Sequence, residues 1–483
     1  MKSKSKTLKQ NKDSFGKSIV YLILSQVFIK IVGLLYKLYL TNKEGFGDTG
    51  NAIYSGGFQI YALLLTFSST GVPNAISKLV AERLAVGDSK GTHKIFKISL
   101  ILFAIIGLVG TIILFLGARI ISQNLIQIPE AESSLICLAP SIFFVSIISV
   151  FRGYFNGRQN FSITAKSQGM EQLFKTLFTI LIVEFVTTLV TKDIGIMAGG
   201  ANLATTIATI MSFVYILIYY KIKKNEIASE IAQTVNYTPT RIRETLKQII
   251  KVAFPISTGS LISSFGKNID SITVVRFLKR FLTEEEAKAQ YGILSGKIDS
   301  LCALAYSLNI AFVTVFVPSI SKSIARKEMK TTIKKIKIFI LITIIIAIPI
   351  TLIMYIFSDQ IIQLLFPKAS LGGEYLKLSS LAIIFMLLSQ TINAILQALG
   401  KVNIAPISFG LGIICKLFCN IILIQNEKIG IFGAIIGNII CNVFAFIFSS
   451  IMLFRTLLDY KLEKADYVYK PKFNIKNSKS LIN

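Results

Sequence analysis

Lysines within apolar stretches are the residues of this chain whose type and spacing bear most directly on chemistry. Lys30 and Lys37 stand one heptad apart in the run Ile29-Lys30-Ile31-Val32-Gly33-Leu34-Leu35-Tyr36-Lys37, and so share a helix face. At about 1.5 Å per residue, Lys30 lies roughly 18 Å up from Ser18, near a bilayer midplane. A cation there costs about 2.5–3.5 kcal/mol on insertion scales, and such residues face a bundle interior or a pathway. A second apolar segment, near 247–275, supplies Lys267, Asn268, Asp270 and Ser271, with Lys267 and Asp270 on one face. A third, near 293–317, supplies Lys297 and Asp299, and one near 52–77 supplies Gln59. Side chains of this kind around one cavity would hold an anionic headgroup, a phosphate or a carboxylate. The alternative is structural: Lys267 with Asp270 and Lys297 with Asp299 as neutralised pairs.

One further helix is polar along a stripe. Gln168, Glu171, Gln172 and Lys175 follow the i, i+3, i+4, i+7 pattern, with Lys166 and Glu184 nearby. The Glu171–Lys175 order favours mutual neutralisation, so the spacing predicts an internally paired seam rather than the wall of a groove. Lys416 stands alone in its apolar segment, and either role is open to it.

The elements that must position these residues are membrane spans. The 483 residues are 53% hydrophobic and 16% charged, with a mean hydropathy of +0.65; soluble domains carry about a quarter charged residues. Apolar runs near 18–40, 52–77, 96–117, 133–151, 163–190, 194–220, 247–275, 293–317, 336–358, 377–399, 404–425 and 429–454 are each long enough to cross a bilayer. The fold class expected is an all-α polytopic membrane protein of about twelve helices. Met1 to Lys17 is polybasic and leads into a long helix, with no short apolar core and small-residue cleavage site, so no removable signal peptide is expected.

The formal charge of +27 is mostly topology. Of 52 Lys and Arg, about 36 fall in one alternate set of loops and tails and about 10 in the other, which predicts that both termini and the basic loops are cytoplasmic. That distribution implies attraction to anionic membrane lipids and no nucleic-acid partner. The cysteines Cys137, Cys302, Cys415, Cys419 and Cys441 lie in or beside apolar spans, where they read as packing groups. One histidine and the lack of Asp-x-Asp, G-x-S-x-G or P-loop patterns argue against an enzyme, a metal site or a bound cofactor. Coupling to a monovalent ion is left open.

The longest polar interruption divides the chain. Residues 1–220 form an expected N-terminal six-helix lobe, 221–246 a cytoplasmic linker, 247–454 a C-terminal six-helix lobe and 455–483 a basic cytoplasmic tail. Thr238-Pro239 marks the expected start of an amphipathic helix in that linker. The halves echo each other. Ile194-Gly195-Ile196 with Asn202 matches Ile429-Gly430-Ile431 with Asn438; Gly157-Arg158-Gln159-Asn160 matches Gly400-Lys401-Val402-Asn403; Val72-Pro73 matches Val317-Pro318. Six spans per half place the pseudo-symmetry axis along the membrane normal and the site between the lobes. Gly71, Pro73, Pro255 and Pro318 are candidate hinge positions, because each proline frees a helical hydrogen bond.

The first-helix run, then Thr41-Asn42, Gly47-Asp48-Thr49-Gly50-Asn51 and Tyr54, resembles the opening of the stage V sporulation protein B and MurJ-type lipid flippases of the multidrug/oligosaccharidyl-lipid/polysaccharide (MOP) superfamily. Thr70-Gly71-Val72-Pro73 and Arg152-Gly153-Tyr154-Phe155-Asn156-Gly157-Arg158-Gln159-Asn160 extend the likeness, which covers both halves. The resemblance implies a MATE-like fold and a monomeric transporter that moves an undecaprenyl-pyrophosphate-linked saccharide across a bacterial cytoplasmic membrane. It implies that Lys30 and Lys37 stand at basic positions of a central cavity, often arginine in the family. Lysine keeps the charge there without arginine's bidentate geometry. The other class to weigh is a cation-coupled drug antiporter of the same superfamily, which needs carboxylates where this chain carries more lysine.

Overall fold

The computed structural model describes residues 28–66, 71–234, 237, 239, 241–325 and 328–468. The expected start of the first span, the basic extremes of the chain and Thr238 lie outside them. The described chain is helical throughout. Helix α1 covers residues 28–42, followed by α2 (Gly47–Thr66), α3 (Val72–Ala85), α4 (Ser89–Ile120), α5 (Ala131–Gly157), α6 (Phe161–Phe185) and α7 (Ile194–Ile222). A short α8 (Lys224–Ala232) precedes α9 (Ile242–Leu278) and α10 (Glu284–Gly292). The second set continues as α11 (Asp299–Ala325), α12 (Met329–Ile356), α13 (Ser358–Leu365), α14 (Gly373–Ala398), α15 (Ile404–Leu423) and α16 (Phe432–Val468).

Among the described residues eight helices are long and apolar enough to cross a membrane: α4 to α7, α12 and α14 to α16. The other four expected spans fall on α1, α2 with α3, α9 and α11. Burial is inverted relative to a soluble protein. On α4, Ile101, Ile105, Leu108 and Ile112 are exposed while Thr92 and Ser99 are buried, as expected where the solvent is hydrocarbon and interhelical hydrogen bonds join the bundle.

Local chemistry sets the helix ends. The Asp88 carboxylate accepts from Gly91 N at 2.7 Å to start α4, and Asp193 does the same for Ile196 N at 2.9 Å at the start of α7. The linker holds α8, and α9 starts at Ile242, where Arg241 N donates to the Glu244 carboxylate at 3.0 Å. That acidic residue, one turn in, helps set the start of α9.

The apolar core has two ends. At one, a single cluster draws on α1, α2, α5 and α7 (Leu40, Ile53, Leu135, Met197) and also on α9, α10, the turn after it and α16 (Val274, Leu278, Tyr291, Leu294, Ile435). At the other, which carries the basic loops, the core separates. One cluster joins α3, α4, α5 and the start of α9 through Ile76, Phe96, Phe151 and Ile249. Another joins α11, α12, α14, α15 and α16 through Ile320, Phe339, Ile395, Ile404 and Leu453. Among the described residues the broad cluster drawn from both sets of helices lies at one end, while at the other only the start of α9 joins the first set.

Candidate functional site

The shared end is locked by the motif Gly47-Asp48-Thr49-Gly50-Asn51. Lys297, fully buried, donates to Asp48 Oδ2 at 2.9 Å and to the carbonyls of Ala369 and Leu371 at 2.6 and 2.9 Å. Its partner is therefore Asp48, across the bundles, and not Asp299 two residues away. Asn51 Nδ2 donates to Thr41 Oγ1 at 2.8 Å, tying α2 to α1. A π-helical turn, Ile293–Ile298, runs so close to α2 that a Cβ on Gly292 would stand 1.8 Å from the Asp48 carbonyl, and one on Gly296 2.6 Å from Asn51. Only glycine permits that approach. Lys288 bridges the same end to Glu130 at 2.6 Å, and Asn42 Nδ2 reaches Leu365 O at 2.9 Å.

Within the first bundle, α1, α2 and α6 assemble a box of cations and rings. Tyr54, Phe58 and Tyr61 line one face of α2 at i, i+4, i+7, with ring centroids 5.8 and 5.6 Å apart. The buried Lys37 ammonium stands 4.5 Å from the Tyr54 ring centroid and donates to Ser55 Oγ at 3.3 Å. Lys175, also buried, stands 4.2 Å from the Phe58 centroid and 4.9 Å from that of Tyr36, whose hydroxyl accepts from Tyr54 Oη at 3.3 Å. Lys175 makes no ion pair among the described residues. The predicted Glu171–Lys175 seam is not formed, because Glu171 accepts from Arg152 Nη2 at 2.8 Å instead. Arg152 also binds Ser167 at 2.9 Å and Ser212 at 3.3 Å, so it joins α5, α6 and α7. A guanidinium in reach outcompetes an ammonium for the carboxylate, which leaves Lys175 to the aromatic faces.

The second bundle treats its lysine differently. Lys416 on α15 donates to Asp270 Oδ2 and to Gly266 O, both at 2.6 Å. Asn420 Nδ2 completes the carboxylate at 3.0 Å and Asn438 Nδ2 approaches at 3.4 Å. Asp270, Lys416 and Asn438 line a 310 Å³ cavity with Asp299, Tyr306, Cys441 and Asn442. Asn268, one turn from Ser264, donates to its carbonyl at 3.1 Å. Asp270 thus pairs with Lys416 across the bundle.

The remaining expected residues are dispersed. Lys30 is exposed, two turns from Lys37 on the same face of α1. Gln59 is half-buried on α2. Gly71 has helical φ and ψ and meets α9, where an added Cβ would stand 1.8 Å from Ser257 Oγ; the Pro73 carbonyl packs on Gly153 of α5. The side chains of Lys267, Pro255 and Pro318 lie outside the described residues. Sequence reasoning missed Asp48 as a cross-bundle partner and Lys175 as a site cation. The first was signalled by an acid inside the motif 47–51, the second by its place on a polar stripe.

Known proteins are similar to this chain over most of its length. The profile of the family described as polysaccharide biosynthesis protein matches residues 15–324. The chain belongs to that family. The MatE profile matches residues 255–422. Stage V sporulation protein B of Bacillus subtilis (strain 168) is 24% identical over 88% of this chain and 80% of its own. Lipid II flippase MurJ of the same organism is 24% identical over 90% and 81%. Among solved structures, a multidrug resistance MATE family transporter of the MOP superfamily, in an inward-facing conformation, is similar over 92% of this chain and 99% of its own, with a TM-score of 0.76 and 16% identity. The protein is thus a multi-pass membrane protein of the polysaccharide biosynthesis family, with the fold of a MATE transporter and sequence similarity to stage V sporulation protein B and to lipid II flippase MurJ.

Proposed function

We propose that the chain is an alternating-access flippase that carries an undecaprenyl-pyrophosphate-linked saccharide, a peptidoglycan precursor or another envelope polysaccharide unit, from the inner to the outer leaflet of a bacterial cytoplasmic membrane. The observation that carries this reading is the first-bundle box, where Lys175 adds a buried positive charge with no carboxylate partner among the described residues beside Lys37. A buried cation over aromatic faces keeps its field, so the wall attracts a dense anion such as pyrophosphate. Lys30, exposed on the face that carries Lys37, supplies the first contact, and Lys267 the counterpart from α9. Gln59, Asn268, Asp270 and Asp299 serve the headgroup as hydrogen-bonding groups. Lys297 acts with Asp48 at the joint, and Gly71, Pro73, Pro255 and Pro318 mark where helices bend as that joint opens.

With the basic end cytoplasmic, the shared core lies on the outer side and the separated clusters on the inner side. The chain then stands ready to take a lipid headgroup from the inner leaflet. Flipping of a labelled lipid pyrophosphate in vesicles tests the site: Lys30→Ala, Lys37→Ala and Lys267→Ala each slow it, and wild-type rates in all three sink the assignment. A second reading, the cation-coupled MATE-type antiporter, is favoured by the Asp270 and Asp299 cavity of the second bundle. Dye efflux driven by a sodium or proton gradient, without lipid flipping, would establish it instead.

A further inference from the structure

At the basic end, away from both buried lysine sites, the first two turns of α4 carry Lys90, His93, Lys94 and Lys97 at i, i+3, i+4, i+7. These four side chains line a 460 Å³ surface cavity completed by Ile98 of α4, Ile231 of α8, Tyr237 and Ile242 of α9. The cavity is cationic on one side and apolar on the other. Lys90 stands 5.8 Å from the Tyr237 ring centroid, and Tyr237 and Ile242 are exposed. No carboxylate lines it among the described residues. The acids nearest in sequence are engaged elsewhere: Asp88 with Arg83, Glu230 with Arg158, Glu226 with Lys223, and Glu244 with the Arg241 amide. His93 Nδ1 is buried and has no hydrogen-bond partner among the described residues.

The face continues along α4 in a way that selects the ligand. Above Lys94 and Lys97, steps of three and four residues reach Ile101, Ile105, Leu108 and Ile112, all exposed. A molecule lying on this face meets cations for about 10 Å and then aliphatic side chains for about three turns of helix. That order of charge and hydrocarbon matches a phospholipid. A soluble phosphate would use only the first part.

We propose that this face is a binding site for one anionic phospholipid, its headgroup phosphate among Lys90, His93, Lys94 and Lys97 and its acyl chains along the α4 stripe. Because Ile231, Tyr237 and Ile242 form the opposite wall, the bound lipid clamps the linker and the start of α9 to the first bundle. The site does not depend on what the transporter carries.

The chain contains no tryptophan, so Tyr237→Trp in the full-length protein gives a single fluorescent reporter at the cavity. In vesicles, brominated phosphatidylglycerol is expected to quench it at a mole fraction about tenfold lower than brominated phosphatidylcholine. Combining Lys90→Gln, Lys94→Gln and Lys97→Gln should erase that preference, and millimolar glycerol phosphate should not relieve the quenching. Equal quenching by the two lipids, or a preference untouched by the triple change, overturns the proposal. Relief by glycerol phosphate overturns it in favour of a soluble-anion site. Ile242→Trp provides the same reading from the other wall if the first reporter does not fold.

Discussion

Lys175 of the first bundle and Lys416 of the second are both buried lysines on the fifth helix of their halves, α6 and α15, yet their surroundings differ. Lys416 has a carboxylate at 2.6 Å, and that carboxylate has an asparagine at 3.0 Å. Lys175 has three aromatic rings within 4.2 to 5.9 Å and no ion pair among the described residues. The second bundle therefore neutralises Lys416 within itself, while Lys175 of the first keeps its charge unpaired among the described residues. The difference lies in where each carboxylate goes. In the first half Arg152 takes Glu171; in the second Asp270 is left for the lysine. The account assigns substrate attraction to the half whose lysine is left over.

The contrast predicts its largest effect at Lys416. Lys416→Ala should cost about 3–5 kcal/mol of stability, because it strands a buried carboxylate, and Asp270→Leu with Lys416→Met should restore most of it. Thermal unfolding of the purified protein reads both. A loss below about 1 kcal/mol in the single variant would remove the distinction between the bundles.

The joint comes next. Gly292→Ala places a methyl against the Asp48 carbonyl, a backbone atom that cannot swing aside. We expect it to open the shared end, so that a cysteine introduced at Gln59 becomes reactive toward a reagent added from that side. Unchanged reactivity would mean the joint does not hold the closed end.

A smaller change is expected for stability at Lys175. Lys175→Met removes a cation–ring attraction of about 2 kcal/mol but also the cost of burying an ammonium, and a thioether packs well on rings. The net should lie within about 1 kcal/mol, against several for Lys416→Ala. A loss as large as at Lys416 would make Lys175 structural.

The smallest effect concerns the polar cap at the shared end. Hydrogen bonds from Lys279 and Lys288 hold the Glu284 carboxyl below its ordinary value of 4.5. Burial works against the Lys288 ammonium, but its bonds to Glu130 and Glu284 raise its value above 10.5. The Glu284 contribution is present above pH 4.5 and fades as pH falls through the lower native value; that of Lys288 is complete below pH 10.5 and fades only above it. The unfolding temperature should be flat between these limits and fall on the acid side, less so in Glu284→Gln.

The fold was legible because hydropathy and charge asymmetry are long-range averages: twenty apolar residues announce a span whatever they touch. The motif 47–51 was legible as a signature, but its work was not. That Asp48 closes on Lys297, 249 residues away, depends on two glycines that admit the approach. Partners of buried charges were misread where a local rule was applied. The i,i+4 spacing suggested Glu171 with Lys175, but inside a bundle a neighbouring helix offers a donor at equal distance. Lys416, isolated in its own span, gave no hint that its counter-charge lay 146 residues earlier.

Vesicle flipping of a labelled lipid pyrophosphate by Lys37→Gln with Lys175→Gln tests the central claim most directly. The account predicts a rate reduced at least about tenfold in a protein that still folds, since two buried positive charges vanish from the site wall while the Lys416–Asp270 pair is untouched. A wild-type rate in that variant would contradict it.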